Sequence, residues 1–246
     1  MLKRSLIIQI VAILALSLLQ SLALLASDQN VSPITPGLLP APQSVEWSDA
    51  AIRLRQVKLT VPSFKDQPIK AKQLNKELKE LLRANKLTQS SSAKQKIVLK
   101  LGQVSVPDQW TGQKDEAYEL IAEKRGVVIT ANTIKGLYYG VQTLRQLMVH
   151  KDGKTTIAAC KIHDYPAFKI RGFMQDVGRN FQTIELLKMQ LDTFAKYKIN
   201  TFHFHCTEYH GWRLESKIHP KLQADSSFTR KVGKYYTQKE FKELVD

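Results

Sequence analysis

Residues 168–206, FKIRGFMQDVGRNFQTIELLKMQLDTFAKYKINTFHFHC, decide the fold, because two apolar segments flank one amphipathic segment. The first, FKIRGFMQDVG, has apolar side chains on both faces, which is typical of a strand in a parallel sheet or barrel covered by helices. The middle predicts a helix with Thr183 as N-cap and Asn200 at its end, and its inner face contains Ile184, Leu187, Leu191 and Phe194. The last segment, TFHFHC, completes a β-α-β unit with parallel strands.

The preceding residues predict a separate α/β domain over residues 43–165, in which short strands alternate with two amphipathic helices. Asn85 is predicted to be the left-handed C-cap of the first helix. The second helix has apolar residues at helical spacing, namely Ile134, Leu137, Val141, Leu144 and Leu147. Residues 166–246 then begin a (β/α)8 barrel, which we expect to be incomplete because a whole barrel takes about 250 residues.

The N-terminus has the pattern of a targeting segment. Lys3 and Arg4 precede the apolar run LIIQIVAILALSLLQSLALLA, which predicts a signal peptide over residues 1–26, with an uncleaved anchor as the alternative. Residues 27–42, rich in Pro, Ser and Leu, are predicted to be a linker. We therefore expect an exported protein, periplasmic or extracellular, with membrane attachment through the N-terminus as the alternative.

The formal net charge is +15, but the basic residues are scattered through helices and strands. No basic stripe with interleaved aromatic residues is present, so we do not expect a nucleic-acid partner. Cys160 and Cys206 allow a single disulfide and exclude a disulfide framework.

Polar side chains follow both predicted strands at the point where each strand ends. Asp176 and Arg179 follow the first strand, and His205 and Glu208 follow the second. Chemistry in parallel α/β folds collects at the carboxyl ends of strands, so we expect Arg179 and Glu208 to face one pocket. In the alternative, Asp176 and Arg179 pair to brace a loop and Glu208 is a solvated acid. Arg171, at the opposite end of the first strand, is predicted to be structural.

A metal centre is a second interpretation of the same region. His203 and His205 share one face of the second strand, and a His-x-His pair at a strand end can begin a metal site. The remaining ligands would have to come from other strands, because Cys206 lies on the opposite face. We predict no metal and no cofactor.

Tyr209 and Trp212 lie next to these polar groups in sequence. Aromatic rings beside polar side chains indicate a carbohydrate surface, since sugars have apolar faces as well as hydroxyls. In the alternative, Trp212 only fills the rim of the barrel.

Three segments of this region together resemble the family 20 glycoside hydrolases, the β-N-acetylhexosaminidases: DYPAFKIRGFMQDVGRNF, LDTFAKYKINTFHFHCTEYHGWRLESKIHPKL and YYTQKEFKELV. LLPAPQSVEW and EAYELIAEKRGVVITANTIKGLYYGVQTLRQLM resemble the start and end of that family's non-catalytic α/β domain. The resemblance implies an α/β domain before a barrel that removes terminal N-acetylglucosamine or N-acetylgalactosamine from glycans with retention. It implies that the substrate's acetamide is the nucleophile, an Asp orients it, a neighbouring Glu is the general acid, and no metal is needed.

The resemblance also implies roles for individual residues. Arg179 matches the arginine that holds hydroxyls of the terminal sugar, Glu208 matches an acid that is usually Asp, and His205 matches a histidine on the same strand. Asp176 joins them as a substrate-binding candidate. The chain departs from the family at Asn180, usually His, and at Tyr209 and His210, which replace a commonly polar Asp-Gln pair.

The family's Asp-Glu pair follows a Gly-Gly, and no Gly-Gly-Asp-Glu occurs in these 246 residues. We therefore expect no catalytic residue in this chain, which would be a fragment, a frameshift product or one piece of a split enzyme, inactive alone. The alternative is a non-catalytic carbohydrate-binding or interaction protein.

Overall fold

The computed structural model describes residues 36–245. Its helices are α1 (Pro68–Ala84), α2 (Ile134–Leu147), α3 (Ile184–Lys196) and α4 (Gln238–Val245). Its strands are β1 (Ser44–Leu54), β2 (Gln56–Thr60), β3 (Thr88–Gln89), β4 (Gln95–Leu101), β5 (Tyr118–Glu123), β6 (Gly126–Ala131), β7 (Val149–Lys151), β8 (Lys154–Asp164), β9 (Gly172–Asp176), β10 (Thr201–His205), β11 (Thr207–Glu208) and β12 (Gly211–Trp212). Short 3-10 segments are Asp108–Glu116, Pro220–Gln223 and Asp225–Ser227.

The predicted signal peptide or anchor and most of the predicted linker fall on residues 1–35, outside the described residues. Within residues 36–245, no helix has the length and apolar character needed to cross a bilayer. Where the described part begins, Leu38 is buried in the core of the first domain.

The first domain is one mixed sheet packed with two helices. The strand order is β1-β8-β5-β6-β4-β2-β3, and β7 pairs with β8. β2, β4 and β6 run parallel, whereas β1 and β5 run antiparallel to β8. The five apolar residues predicted for the face of α2 are all buried, which confirms that periodicity.

The β-α-β prediction is confirmed in the second domain, where β9 and β10 are parallel and His205 pairs with Asp176. Thr183 caps α3 as predicted, and its Oγ1 accepts from the N–H of Leu186 at 3.3 Å. Asn200 as the end of the helix is wrong, because α3 ends at Lys196.

Asn200 instead has a structural role at the start of the two barrel strands. Its amide oxygen accepts from the N–H of Arg171 at 2.9 Å, and its amide nitrogen donates to the carbonyl of Lys169 at 2.8 Å. Asn85 is the C-cap of α1, as predicted, but the left-handed conformation predicted for it is wrong. Asn85 has a φ of −96°, and the following Lys86 has the positive φ of 50°.

The first barrel strand is shorter and more exposed than predicted. Regular pairing covers only Gly172–Asp176, and Phe168 and Ile170 lie before it, both exposed. Phe173 and Met174 are exposed on the strand as well, at 40% and 53%. The prediction of two covered faces fails within the described residues, since two helices and two strands cannot enclose both faces.

Buried charges join the two domains at the end of β8. The ammonium of Lys198 donates to Asp164 Oδ2 and to the hydroxyl of Tyr118, each at 2.8 Å. Nearby, the guanidinium of Arg171 bonds to the carboxylate of Glu116. Arg171 is structural, as predicted, and the barrel strands begin at this junction.

The two cysteines of the chain are not bonded to each other. Cys160 and Cys206 are both free, so the disulfide that the sequence allows is not formed between them. Burial raises the pKa of the Cys160 thiol to about 11, which makes it a poor nucleophile at neutral pH.

Candidate functional site

The carboxyl ends of β9 and β10 lie side by side and carry the predicted polar residues. Asp176 is directly opposite His205 in the parallel register. The chain beyond β9 stays against β10, because the N–H groups of Val177 and Gly178 both donate to the carbonyl of His205, at 3.0 and 3.2 Å. This places residue 179 over the end of both strands.

Arg179 joins the two strand ends. Its Nη2 donates to Glu208 Oε1 at 2.7 Å, and its Nε lies 3.3 Å from Asp176 Oδ2. The backbone N–H of Arg179 also donates to Asp176 Oδ1 at 3.0 Å. Arg179 therefore contacts Glu208 across the two strand ends and pairs locally with Asp176 in one arrangement, while the shared pocket stays a prediction.

The guanidinium is held at one side and open at the other. The Arg179 side chain is 57% exposed, whereas those of Asp176 and Glu208 are 20% and 24% exposed. Within the described residues, no hydrogen bond is made by Nη1 of Arg179, so that edge of the fork remains available to donate.

Gly178 lets the two strand ends approach closely. A Cβ at this position would lie 2.9 Å from Cβ of Glu208 and 3.2 Å from its Cγ. Any larger residue would push Glu208 away, so the glycine is required for the bond between Glu208 and Arg179.

His205 is part of the cluster but faces Glu208 at a longer distance. Its Nε2 lies 2.8 Å from the carbonyl of Thr207 and 3.6 Å from Glu208 Oε1. A carbonyl can only accept, so Nε2 carries a hydrogen. His203 shares the face, as predicted, with its ring stacked 6.3 Å from that of His205.

Asp176, His205 and Glu208 each offer a ligand atom, and these atoms lie within 4.8 Å of one another. A divalent cation placed there would meet the guanidinium of Arg179, which already contacts both carboxylates. The fixed positive charge disfavours a metal at this position, because like charges repel strongly at such distances. The cluster is better suited to orienting Arg179.

Sequence reasoning missed Arg213, which organises the loop after β10. Arg213 is fully buried and makes no ion pair within the described residues. Its guanidinium donates instead to backbone carbonyls of several loop residues: Gly178, His210, Arg230, Lys231 and Lys234. One of these carbonyls belongs to Gly178, so Arg213 fixes the backbone next to Arg179. An arginine directly after a Gly-Trp turn was the available signal.

The aromatic residues differ in position. Tyr209 is 82% exposed and Trp212 is 40% exposed, so Trp212 is only partly covered within the described residues. His210 Nδ1 lies 2.7 Å from Oγ1 of Thr229. Trp212 pairs with Thr207 across β11 and β12, next to Glu208 in the chain, and the stacking prediction stays a prediction.

Two family models together match almost all of the described chain. The family model described as glycosyl hydrolase family 20, domain 2, matches residues 35–165, and the one described as the catalytic domain of that family matches residues 168–246. The chain belongs to glycosyl hydrolase family 20. The predicted fold class, an α/β accessory domain followed by the first β-α-β part of a barrel, is confirmed.

Curated relatives carry names of one enzyme class. A β-hexosaminidase of Porphyromonas gingivalis is 40% identical over 145 residues, which cover 54% of this chain and 18% of that protein. A β-N-acetylhexosaminidase of Cellulomonas fimi is 36% identical over 135 residues, covering 53% of this chain and 27% of that protein. The chain therefore matches about a fifth to a quarter of the length of these two relatives.

Solved structures give the same assignment of fold. The family 20 β-N-acetylhexosaminidase of Streptomyces coelicolor superposes with a TM-score of 0.68 at 31% identity, covering 86% of this chain and 44% of that one. A family 20 exo-β-N-acetylglucosaminidase of Vibrio harveyi, solved with N-acetylglucosamine, gives 0.67 at 28% identity and covers 85% of this chain and 33% of that one.

Proposed function

We propose that this chain provides the accessory domain and one sugar-binding edge of a β-N-acetylhexosaminidase. The observation that carries the proposal is Arg179, held by Asp176 and Glu208 with one edge of its guanidinium open at the carboxyl ends of two barrel strands. A planar fork of N–H donors matches two neighbouring sugar hydroxyls. The substrates are glycans with terminal N-acetylglucosamine or N-acetylgalactosamine, hydrolysed with retention by the substrate's own acetamide.

The two carboxylates have separate tasks in this proposal. Glu208 and Asp176 accept from the guanidinium, so they fix its plane and balance its charge before the sugar arrives. A guanidinium that is already oriented binds the sugar more tightly, because its side chain loses no further conformational freedom on binding. Trp212 supplies an apolar ring face for the sugar.

The proton donor is proposed to lie outside these 246 residues, which contain no Gly-Gly-Asp-Glu sequence. A positioned acid contributes about 10²–10⁴-fold to such a reaction. The chain alone is therefore expected to lack useful turnover. The apolar run after Lys3 and Arg4 supports export of the protein to the periplasm or the extracellular space.

The test is a complementation assay with nitrophenyl N-acetyl-β-glucosaminide. We expect no release of nitrophenol by the chain alone, and release when a polypeptide with the remaining barrel and the Gly-Gly-Asp-Glu sequence is added. A mixture containing the chain with Arg179→Lys should turn over more slowly. Hydrolysis by the isolated chain would contradict the proposed position of the acid, and an unaffected Arg179→Lys mixture would contradict the role of Arg179.

A further inference from the structure

One end of the accessory sheet carries a concentration of positive charge. β2, β4, β6 and β8 all begin at this end, because they run in the same direction. Around the starts of β4 and β6, a surface depression is lined by Lys94, Lys96, Lys124 and Arg125. The backbone holds them together, since the N–H of Lys96 donates to the carbonyl of Arg125 at 2.9 Å.

Four more basic residues lie at the same end. Arg53 and Arg55 flank the last residue of β1, and the carbonyl of Arg53 accepts from the Gln95 side chain at 2.8 Å. Lys151 and Lys154 are paired across the tip of the β7–β8 hairpin, whose next residue, Thr155, pairs with Leu54 at the end of β1. We call these eight residues the cationic end.

The cationic end is not neutralised by its surroundings. All eight side chains are exposed, and none forms an ion pair within the described residues. The acidic residues in the same turns are Glu123 and Asp152. A surface with this excess of positive charge attracts an extended anionic partner.

The N-terminal chain meets the domain beside the last turn of α2 and then runs to the opposite end of the sheet, where the N–H of Gln43 donates to Asp164 Oδ1 at 3.3 Å. Leu39 exchanges two hydrogen bonds with the side chain of Gln146, at 2.8 and 2.7 Å. Gln146 is in the last turn of α2, directly before β7, which belongs to the cationic hairpin. Residues 27–35 separate the apolar run, which ends at Ala26, from the described chain, and they can span at most about 30 Å.

The candidate sugar site lies on the other side of the molecule. Arg171 and Lys198 contact the opposite end of the accessory sheet, next to the starts of β9 and β10. The two barrel strands run from that junction to Arg179. A bilayer at the cationic end would therefore leave the sugar site facing solution.

We propose that the cationic end docks on the anionic lipid headgroups of a bilayer. The bilayer is the same one that the N-terminal apolar run enters or crosses. An apolar segment and a basic surface are the two signals that together give stable membrane attachment. Each basic residue close to an anionic surface strengthens binding by about fivefold, and salt screens the effect. This inference is independent of the hydrolytic function.

The test uses the full chain with phosphatidylcholine vesicles that contain or lack 30 mol% phosphatidylglycerol, chosen as roughly the anionic content of a charged bilayer. We expect tighter sedimentation with the anionic vesicles, reversed by high salt. Replacing Lys94, Lys96, Lys124 and Arg125 by Gln should weaken the anionic component at least about tenfold. The matched control replaces the same number of exposed lysines elsewhere in the domain: Lys65, Lys72, Lys79 and Lys100.

Lysine acetylation gives a second readout that does not depend on variants. Reactivity of Lys94, Lys96 and Lys124 should fall on anionic vesicles, while that of Lys72 and Lys79 on α1 stays unchanged. Equal loss of binding in both variants, equal binding to both vesicles, or no local protection would overturn the proposal. Preferential binding to a soluble polyanion such as heparin, with vesicles unable to compete, would assign the surface to a different partner and also overturn it.

Discussion

The buried pair of Lys198 and Asp164 joins the barrel start to the accessory domain. The two side chains are 6% and 9% exposed, and the ammonium lies 2.8 Å from the carboxylate. At an effective dielectric constant of 20, two unit charges at this distance attract by roughly 6 kcal/mol. The loss of hydration on burial offsets much of that attraction. Burial also lowers the pKa of Lys198, while the charge of Asp164 acts in the opposite direction.

Lys198→Met should therefore be strongly destabilising, because it leaves Asp164 charged and buried with only Tyr118 and the backbone N–H of Gln43 as partners. Removing one member of a buried pair costs about 3–5 kcal/mol. The methionine is unbranched like lysine and only one atom shorter, so the change mainly removes the charge at this position of positive φ.

The assay is urea unfolding followed by circular dichroism, in a double-mutant cycle with Asp164→Asn. The double variant should lose less free energy of unfolding than the sum of the single variants, since it leaves no unpaired charge. Lys196→Met, an exposed change two residues away, is the control and should cost less than about 1 kcal/mol. A cost below about 1 kcal/mol for Lys198→Met, or additive single effects, would refute the reasoning.

Three further changes test other parts of the structure. Gly211→Ala should lower the free energy of unfolding by more than about 2 kcal/mol, because φ at this position is +150° and the new Cβ would lie 2.5 Å from the Phe228 ring. Gly37→Ala is the control, since a Cβ there would have no atom within 4 Å. Equal melting temperatures for the two variants would contradict this prediction. Burial raises the pKa of Tyr236 to about 12 in the folded state. Above pH 10 the unfolded chain loses this proton while the folded chain keeps it, so the free energy of unfolding falls as the pH rises from 10 to 12. Tyr236→Phe should reduce that slope by about 1.4 kcal/mol per pH unit in urea titrations, and an unchanged slope would exclude this residue as a cause. Glu208→Gln should leave the melting temperature nearly unchanged, because its partner is more than half exposed, but should weaken sugar binding seen by calorimetry; unaltered binding would argue against an orienting role.

The sequence predicted the β-α-β unit and the meeting of Arg179 with Glu208 because both follow from local periodicity and strand direction. Thr183 as a cap was predictable for the same reason. The bounds of β9 were not, since Phe168 and Ile170 read as strand residues but have no partner strand within the described residues. Local pattern does not reveal which apolar face lacks a neighbour.

Two other features depend on contacts between distant residues. Arg213 was missed because its partners are backbone carbonyls of distant loop residues, and the Gly-Trp that precedes it does not show which carbonyls it meets. The cationic end is not visible in the sequence, because its residues come from separate turns of the chain and look like scattered charge. Only the parallel register of β2, β4 and β6, with β8 in the same direction, brings Arg53, Lys94 and Lys124 to one end.

The central claim, that Arg179 is a sugar-binding group oriented by its two carboxylates, is tested most directly by titrating N-acetylglucosamine into the full chain. The readout is the side-chain NMR signal of the Arg179 guanidinium together with the dissociation constant. We expect a saturable shift of that signal and a clear loss of affinity in Arg179→Lys, which keeps the charge but not the fork. Binding of the sugar with unchanged affinity to Arg179→Lys, without any shift at Arg179 in the unaltered chain, would contradict it.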